Sequence, residues 1–213
     1  QLGLNWQASP ALTELEEVTT DWLRQMVGLG DRWRGVIQDT ASTATFVALV
    51  CARERATDYG ATRTGLQGAT TELVVYVSSQ SHSSVAKAAL LAGFGRLQLR
   101  VVPVDEHYAM SPAALEQMLV ADRAAGRQPC AIVATCGTTA TTALDPIDSL
   151  AQLAAKYQCW LHVDAALAGS AMVVPEGRKL WEGIEAADSL VVNPHKWLGV
   201  AFDCSTYYVR DVE

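Results

Sequence analysis

Short apolar runs alternate along the chain with longer segments of helical periodicity. The runs Leu73 to Val77, Leu99 to Val104, Cys130 to Thr135, Cys159 to Val163, Ser189 to Val192 and Thr206 to Val209 are rich in β-branched and aromatic residues, and several are continuously apolar. Such runs fit strands covered on both faces. Their alternation with helical patterns predicts an α/β domain, a mostly parallel sheet flanked by helices. Ser9-Pro10 opens one helical pattern through Leu12, Leu15, Val18, Trp22 and Leu23 up to Gly28, and Ser111-Pro112 opens another through Leu115, Met118 and Leu119, closed by Gly126. Gly93 closes the segment Ser83 to Ala92, and the Thr- and Gly-rich stretch from Asp58 to Thr71 predicts a variable loop.

Composition narrows the partners. A chain of 213 residues that is 50% hydrophobic can bury one sizeable core, so a single domain is expected. A formal charge of -7 repels nucleic-acid phosphates and anionic lipid heads, which argues against both as partners. Cys51, Cys130, Cys136, Cys159 and Cys204 form no C-x-x-C pair and have no histidine at zinc-site spacing, so reduced, mostly buried thiols and no metal are expected. The chain lacks a run of the ~20 apolar residues a membrane span requires, and it opens without a signal-peptide pattern, so a cytoplasmic address is the default expectation. A chain that opens on Gln1 also reads as part of a longer protein.

Candidate chemistry collects where strands end. Leu190 to Val192 is followed by Asn193-Pro194-His195-Lys196-Trp197, which puts a lysine beyond the carboxyl end of a strand, where open parallel sheets bind ligands. A lysine among apolar and aromatic neighbours sheds its proton more readily, as a Schiff-base amine must, although a solvated loop lysine explains the segment alone. Asp164 ends another strand, before small residues that let a flat ring approach, and could pair with a protonated pyridine nitrogen. Such a pair at ~4 Å is worth about 4 kcal/mol, or roughly 3 pKa units, while plain helix capping is the alternative. Thr40-Ala41-Ser42-Thr43 offers a helix start to a phosphate or an ordinary cap by Ser42; His82 could stack on a ring and handle protons or be a surface histidine; Gly137-Thr138-Thr139 is a ligand turn or a plain loop. All five segments follow strands or open helices on one expected sheet edge.

Taken in order, these segments resemble the group II pyridoxal-phosphate decarboxylases, most closely the aromatic-L-amino-acid decarboxylases. The resemblance runs over nearly the whole chain, through Trp6-Gln7-Ala8-Ser9-Pro10-Ala11, Thr40-Ala41-Ser42, Ser81-His82-Ser83-Ser84-Val85, Gly137-Thr138-Thr139, His162-Val163-Asp164-Ala165-Ala166, Asn193-Pro194-His195-Lys196-Trp197 and Phe202-Asp203-Cys204-Ser205. It implies residues 1-213 as most of the pyridoxal-phosphate-binding large domain of fold type I, the transferase-like fold, with the catalytic loop and small C-terminal domain lying outside them. It implies that Lys196 forms the Schiff base with pyridoxal 5'-phosphate, Asp164 pairs the pyridine nitrogen and His82 stacks over the ring. Ala41, Ser42 and Asn193 would hold the phosphate, and Thr139, Ala166 and His195 would complete the cofactor shell. Leu2, Leu4 and Pro10 would serve the substrate, Leu2 and Leu4 reaching the pocket of a neighbouring subunit, which implies a homodimer with a shared site.

The implied reaction is decarboxylation of an aromatic L-amino acid (dopa, tyrosine, tryptophan or phenylalanine) to its amine. Leu4 replaces an aromatic residue of the animal enzymes, Thr43 an acidic one and Leu167 a common tyrosine, so the substrate is implied only as a class. An aromatic aldehyde synthase of the same family is the nearest alternative, since the loop that separates the two chemistries lies beyond Glu213. An acidic amino acid decarboxylase would need a basic side chain near the substrate, and Leu2 to Pro10 supplies none. A truncated module that only binds or dimerises is a further alternative.

Overall fold

The computed structural model describes residues 5–68 and 71–212. Its sheet has seven strands: β1 (Arg34–Gln38), β2 (Leu73–Ser78), β3 (Leu99–Val102), β4 (Gln128–Thr135), β5 (Trp160–Asp164), β6 (Ser189–Val192) and β7 (Ser205–Val209). They lie in the order β1-β7-β6-β5-β4-β2-β3. Pairing is parallel from β6 across to β3, while β7 runs antiparallel to both β6 and β1. The expectation of a mostly parallel sheet holds, with β7 as the reversed strand.

Seven α-helices accompany the sheet: α1 (Pro10–Met26), α2 (Ala41–Ala56), α3 (Gly60–Thr64), α4 (Ser83–Leu91), α5 (Pro112–Ala124), α6 (Ile147–Tyr157) and the single turn α7 (Pro194–Trp197). The central strands β2, β4, β5 and β6 are buried on both faces because helices cover both. Val74, Tyr76, Ile132, Leu161, Val163 and Leu190 pack with Leu115 and Leu119 of α5 and Leu150 of α6. The alternate residues Val75, Val77, Ala131 and Val133 pack with Leu49 of α2 and with Val85 and Ala88 of α4. This two-residue alternation is how a continuously apolar strand supplies two cores at once.

The helix ends follow the sequence signals, with one correction. Ser111 caps α5 by accepting the Ala114 N–H, and Gly28, Gly93 and Gly126 take positive φ just past α1, α4 and α5. At α2, however, the capping hydroxyl belongs to Thr40, which accepts the Thr43 N–H, so Ser42 is left exposed in the first turn. The expected loop from Asp58 to Thr71 contains α3 and a 3-10 turn, Leu66–Gly68. All five cysteines are free thiols, three of them buried.

Candidate active site

Parallel strands deliver their carboxyl ends to one edge, and β1, in line with them through β7, does the same. A cavity of about 190 Å³ lies there, lined by Ala41, Ser42, His82, Thr139, Asp164, Ala166, Asn193, His195 and Lys196 among others. Every cofactor residue expected from the sequence therefore meets in one place, although the chain separates them by as much as the distance from β1 to β6. Pro10 stands exposed in the first turn of α1 and does not line this cavity. Leu2 and Leu4 lie outside the described residues.

Asp164 is the electrostatic centre. It ends β5 and is buried, and among the described residues its carboxylate has one hydrogen bond, accepted from Ala166 N–H at 3.1 Å. Burial pushes its carboxyl above the usual carboxylate range, against the pull of the Ala166 N–H and of the charges of Lys196 and His82. A second cationic partner in the cavity would relieve that burial. Lys196 itself is exposed in the turn of α7, rather than enclosed by apolar groups as its neighbours in sequence suggest.

The remaining groups are held by their own local bonds. Asn193 is buried and its Oδ1 accepts from Ser205 Oγ at 2.6 Å, which leaves its Nδ2 donors for the cavity. His195 Nδ1 accepts the Cys204 N–H at 2.8 Å, and its ring lies 4.6 Å from that of Phe202. His82 caps α4, its Nδ1 accepting the Ser84 N–H at 3.2 Å. Gly137 turns the chain out of β4 with φ +84, and a Cβ there would meet the Ala168 Cβ at 2.6 Å. Only glycine fits both the backbone conformation and the approach.

Thr135 is a site residue that sequence reasoning missed. It lines the cavity, pairs in register with Asp164, and its Oγ1 is buried without a partner among the described residues. Its position at the end of an apolar run reads as core; the signal that would have found it is its place beside Asp164 at the same strand level. Ser84 and Phe202 also line the cavity, neither expected as a site residue, together with Thr40 from the expected phosphate segment and Leu167.

Comparison with known proteins agrees with this geometry. The profile of the pyridoxal-dependent decarboxylase conserved domain matches residues 1–213. The aromatic-L-amino-acid decarboxylase of Bos taurus is 46% identical, over 98% of this chain and 45% of its own length. The crystal structure of Oryza sativa TDC with PLP and tryptamine superimposes with a TM-score of 0.92 at 42% identity, over 98% of this chain and 44% of that one. That of Rhodiola rosea 4-hydroxyphenylacetaldehyde synthase gives 0.91 at 33% identity, over 98% of this chain and 45% of that one. The chain spans less than half the length of these relatives. The match along its whole length nonetheless makes it a member of the pyridoxal-dependent decarboxylase family, with pyridoxal phosphate as its cofactor.

Proposed function

We propose that the protein to which this chain belongs decarboxylates an aromatic L-amino acid to the amine and carbon dioxide, with the cofactor attached at Lys196. The observation that carries the reading is Asp164, a buried carboxylate with a single hydrogen bond, sharing a cavity with an exposed lysine. The residues fit the group. Asp164 suits a cationic ring nitrogen, the unpartnered Thr135 Oγ1 offers a ring substituent a hydrogen bond, and the α2 N-terminus at Ala41 and Ser42 offers free N–H groups to a phosphate. When bound, pyridoxal phosphate supplies the electron sink for the pair left as carbon dioxide departs.

The chain's own residues then have distinct tasks. Asp164 keeps the ring nitrogen protonated, because separating that ion pair inside the protein costs more than in water. Asn193, with its Oδ1 occupied by Ser205, would hold the phosphate through its Nδ2 donors together with Ala41 and Ser42. His82 and the small Ala166, which both line the cavity, would bound the ring. Thr139 and His195 close the shell. Lys196, exposed in the turn of α7, would hold the cofactor. A homodimer with a shared site and a cytoplasmic location are part of the same proposal. No described helix is long and apolar enough to cross a membrane.

Likeness to the Rhodiola rosea synthase favours a second reading, oxidative conversion to the aldehyde. One assay separates the two: the full-length protein with pyridoxal phosphate and an aromatic L-amino acid. Amine formed in step with carbon dioxide supports decarboxylation, whereas ammonia and peroxide in place of amine would overturn it. Borohydride reduction followed by peptide mass mapping tests attachment, and label on any residue other than Lys196 would refute that assignment.

A further inference from the structure

We infer that Ser84 is a positioning residue that locks His82 with its ring proton on Nε2, so that this imidazole meets the cavity as an N–H donor and not as a base. The inference deepens the proposed function and rests on it only for what the donor would meet, an oxygen of cofactor or substrate.

A backbone amide can only donate, so the Ser84 N–H at 3.2 Å requires a lone pair on His82 Nδ1. The Ser84 hydroxyl, 2.8 Å from the same nitrogen, must then donate as well. A neutral imidazole with a lone pair on Nδ1 carries its proton on Nε2, the nitrogen on the far side of the ring from α4. Ser84 is buried at the cavity wall, whereas His82 itself is exposed toward the cavity.

The second cavity imidazole repeats the arrangement on a different turn. His195 Nδ1 accepts the Cys204 N–H at 2.8 Å, while the His195 N–H donates to the Cys204 carbonyl at 3.4 Å. Two histidines from separate strand ends thus have the same nitrogen tied to the backbone and the same one turned outward. A ring held this way can take a proton at Nε2 only by exchanging tautomer and giving up its amide partner. Helix capping by His82 accounts for the bond to the Ser84 amide but not for a hydroxyl aimed at the same lone pair, nor for the repeat at His195.

The test uses the full-length protein carrying ¹⁵N-labelled histidine, freed of cofactor and at mildly alkaline pH. His82→Gln and His195→Gln assign the two imidazoles of interest by difference. For both, the nitrogen coupled to the Cδ2 proton, Nε2, should be the protonated one, with Nδ1 pyridine-like. Ser84→Pro, which removes the amide at a first-turn position where proline is tolerated, should collapse the His82 shifts toward the average shown by exposed His107. Ser84→Ala should shift them part of the way, and Ser84→Thr should restore them. A protonated Nδ1 at His82 in the unsubstituted chain would overturn the inference, as would ring shifts unmoved in a folded Ser84→Pro variant. A purely structural role for Ser84 would lower thermal stability and leave the ring nitrogens alone. Because no cofactor is present, failure here leaves the borohydride test of Lys196 untouched, and the converse also holds.

Discussion

His162 should make the fold sensitive to acid in a way that a single substitution reverses. It sits within β5, fully buried, with Nδ1 2.9 Å from Ser189 Oγ and Nε2 without a partner among the described residues. Burial pushes the imidazole from 6.5 down to about 3. Between those values the unfolded chain binds a proton that the folded chain does not. The stability tied to neutral His162 is therefore complete above pH 6.5 and is lost progressively as the pH falls toward 3. Well inside the window the loss is about 1.4 kcal/mol per pH unit, so descending from about pH 6.5 to about pH 4.5 removes roughly 2 to 3 kcal/mol.

Asp145 runs the other way over much of the same range. Its carboxylate accepts the Met110 and Thr135 amides, each at 2.7 Å, yet burial still pushes it from 3.8 up to about 6. The folded chain holds the extra proton there, so this contribution rises as the pH falls through 6. The two slopes oppose each other, and the shifted carboxyls of Asp21, Asp39, Glu54, Glu72, Asp122 and Asp164 add their own. His162→Gln removes one slope alone, so the difference between variant and natural chain isolates His162. Urea midpoints followed by tryptophan fluorescence, with Trp33, Trp160 and Trp181 buried as reporters, should show the variant gaining stability on the native chain by about 1.4 kcal/mol for each unit of acidification. Parallel curves for the two proteins would refute the reasoning.

Other substitutions separate fold from site. Asp164→Asn removes a buried charge, so the urea midpoint should hold or rise while pyridoxal phosphate retained after dialysis falls by about tenfold or more. Gly137→Ala forces a side chain into positive φ and against Ala168, and should cost about 2 to 4 kcal/mol in urea unfolding together with most cofactor retention. Asp122, on α5, accepts from Tyr76 Oη at 3.0 Å, from Arg100 Nη2 at 3.0 Å and from Arg127 Nη1 at 3.3 Å. Asp122→Ala strands those donors and should cost roughly 3 to 5 kcal/mol in urea unfolding, yet a folded variant should retain cofactor normally because the cluster lies away from the cavity.

Six of the seven strands were legible as runs rich in β-branched and aromatic residues, several of them continuously apolar because helices cover both faces, a pattern that survives without any knowledge of their neighbours. β1 escaped because it is a short sheet edge, Arg-Gly-Val-Ile-Gln, of which only Gly35 and Gln38 are even partly buried. The direction of β7 escaped for a different reason. Direction depends on the connection, and the single turn of α7 is too short to carry the chain back across the sheet for a parallel return. Side-chain roles at the helix starts were readable only to within two residues, so the α2 cap fell on Ser42 rather than Thr40. Thr135 stayed hidden because a strand's last inward residue looks like core until the neighbouring strand places Asp164 beside it.

That contrast explains why the site itself was easier to read than many of its details. A parallel sheet converts chain order into position: whatever follows each strand arrives at the same edge, so motifs far apart in sequence need no folding calculation to be brought together. What the chain order does not encode is which atoms at that edge are already occupied. Asn193 Oδ1 is taken by Ser205, and the Nδ1 atoms of His82 and His195 are taken by backbone amides, whereas Asp164 has one donor and Thr135 Oγ1 has none. The folded protein thus occupies these acceptors, which leaves the Asn193 amide and the two imidazoles to present N–H donors beside a carboxylate and a hydroxyl with few partners among the described residues. A buried carboxylate left in that state costs stability, so a ligand that brings a cation to it should stabilise the fold as well as bind. The linkage then requires the urea midpoint of the chain to climb with pyridoxal phosphate concentration, and to climb less when Asp164 is Asn.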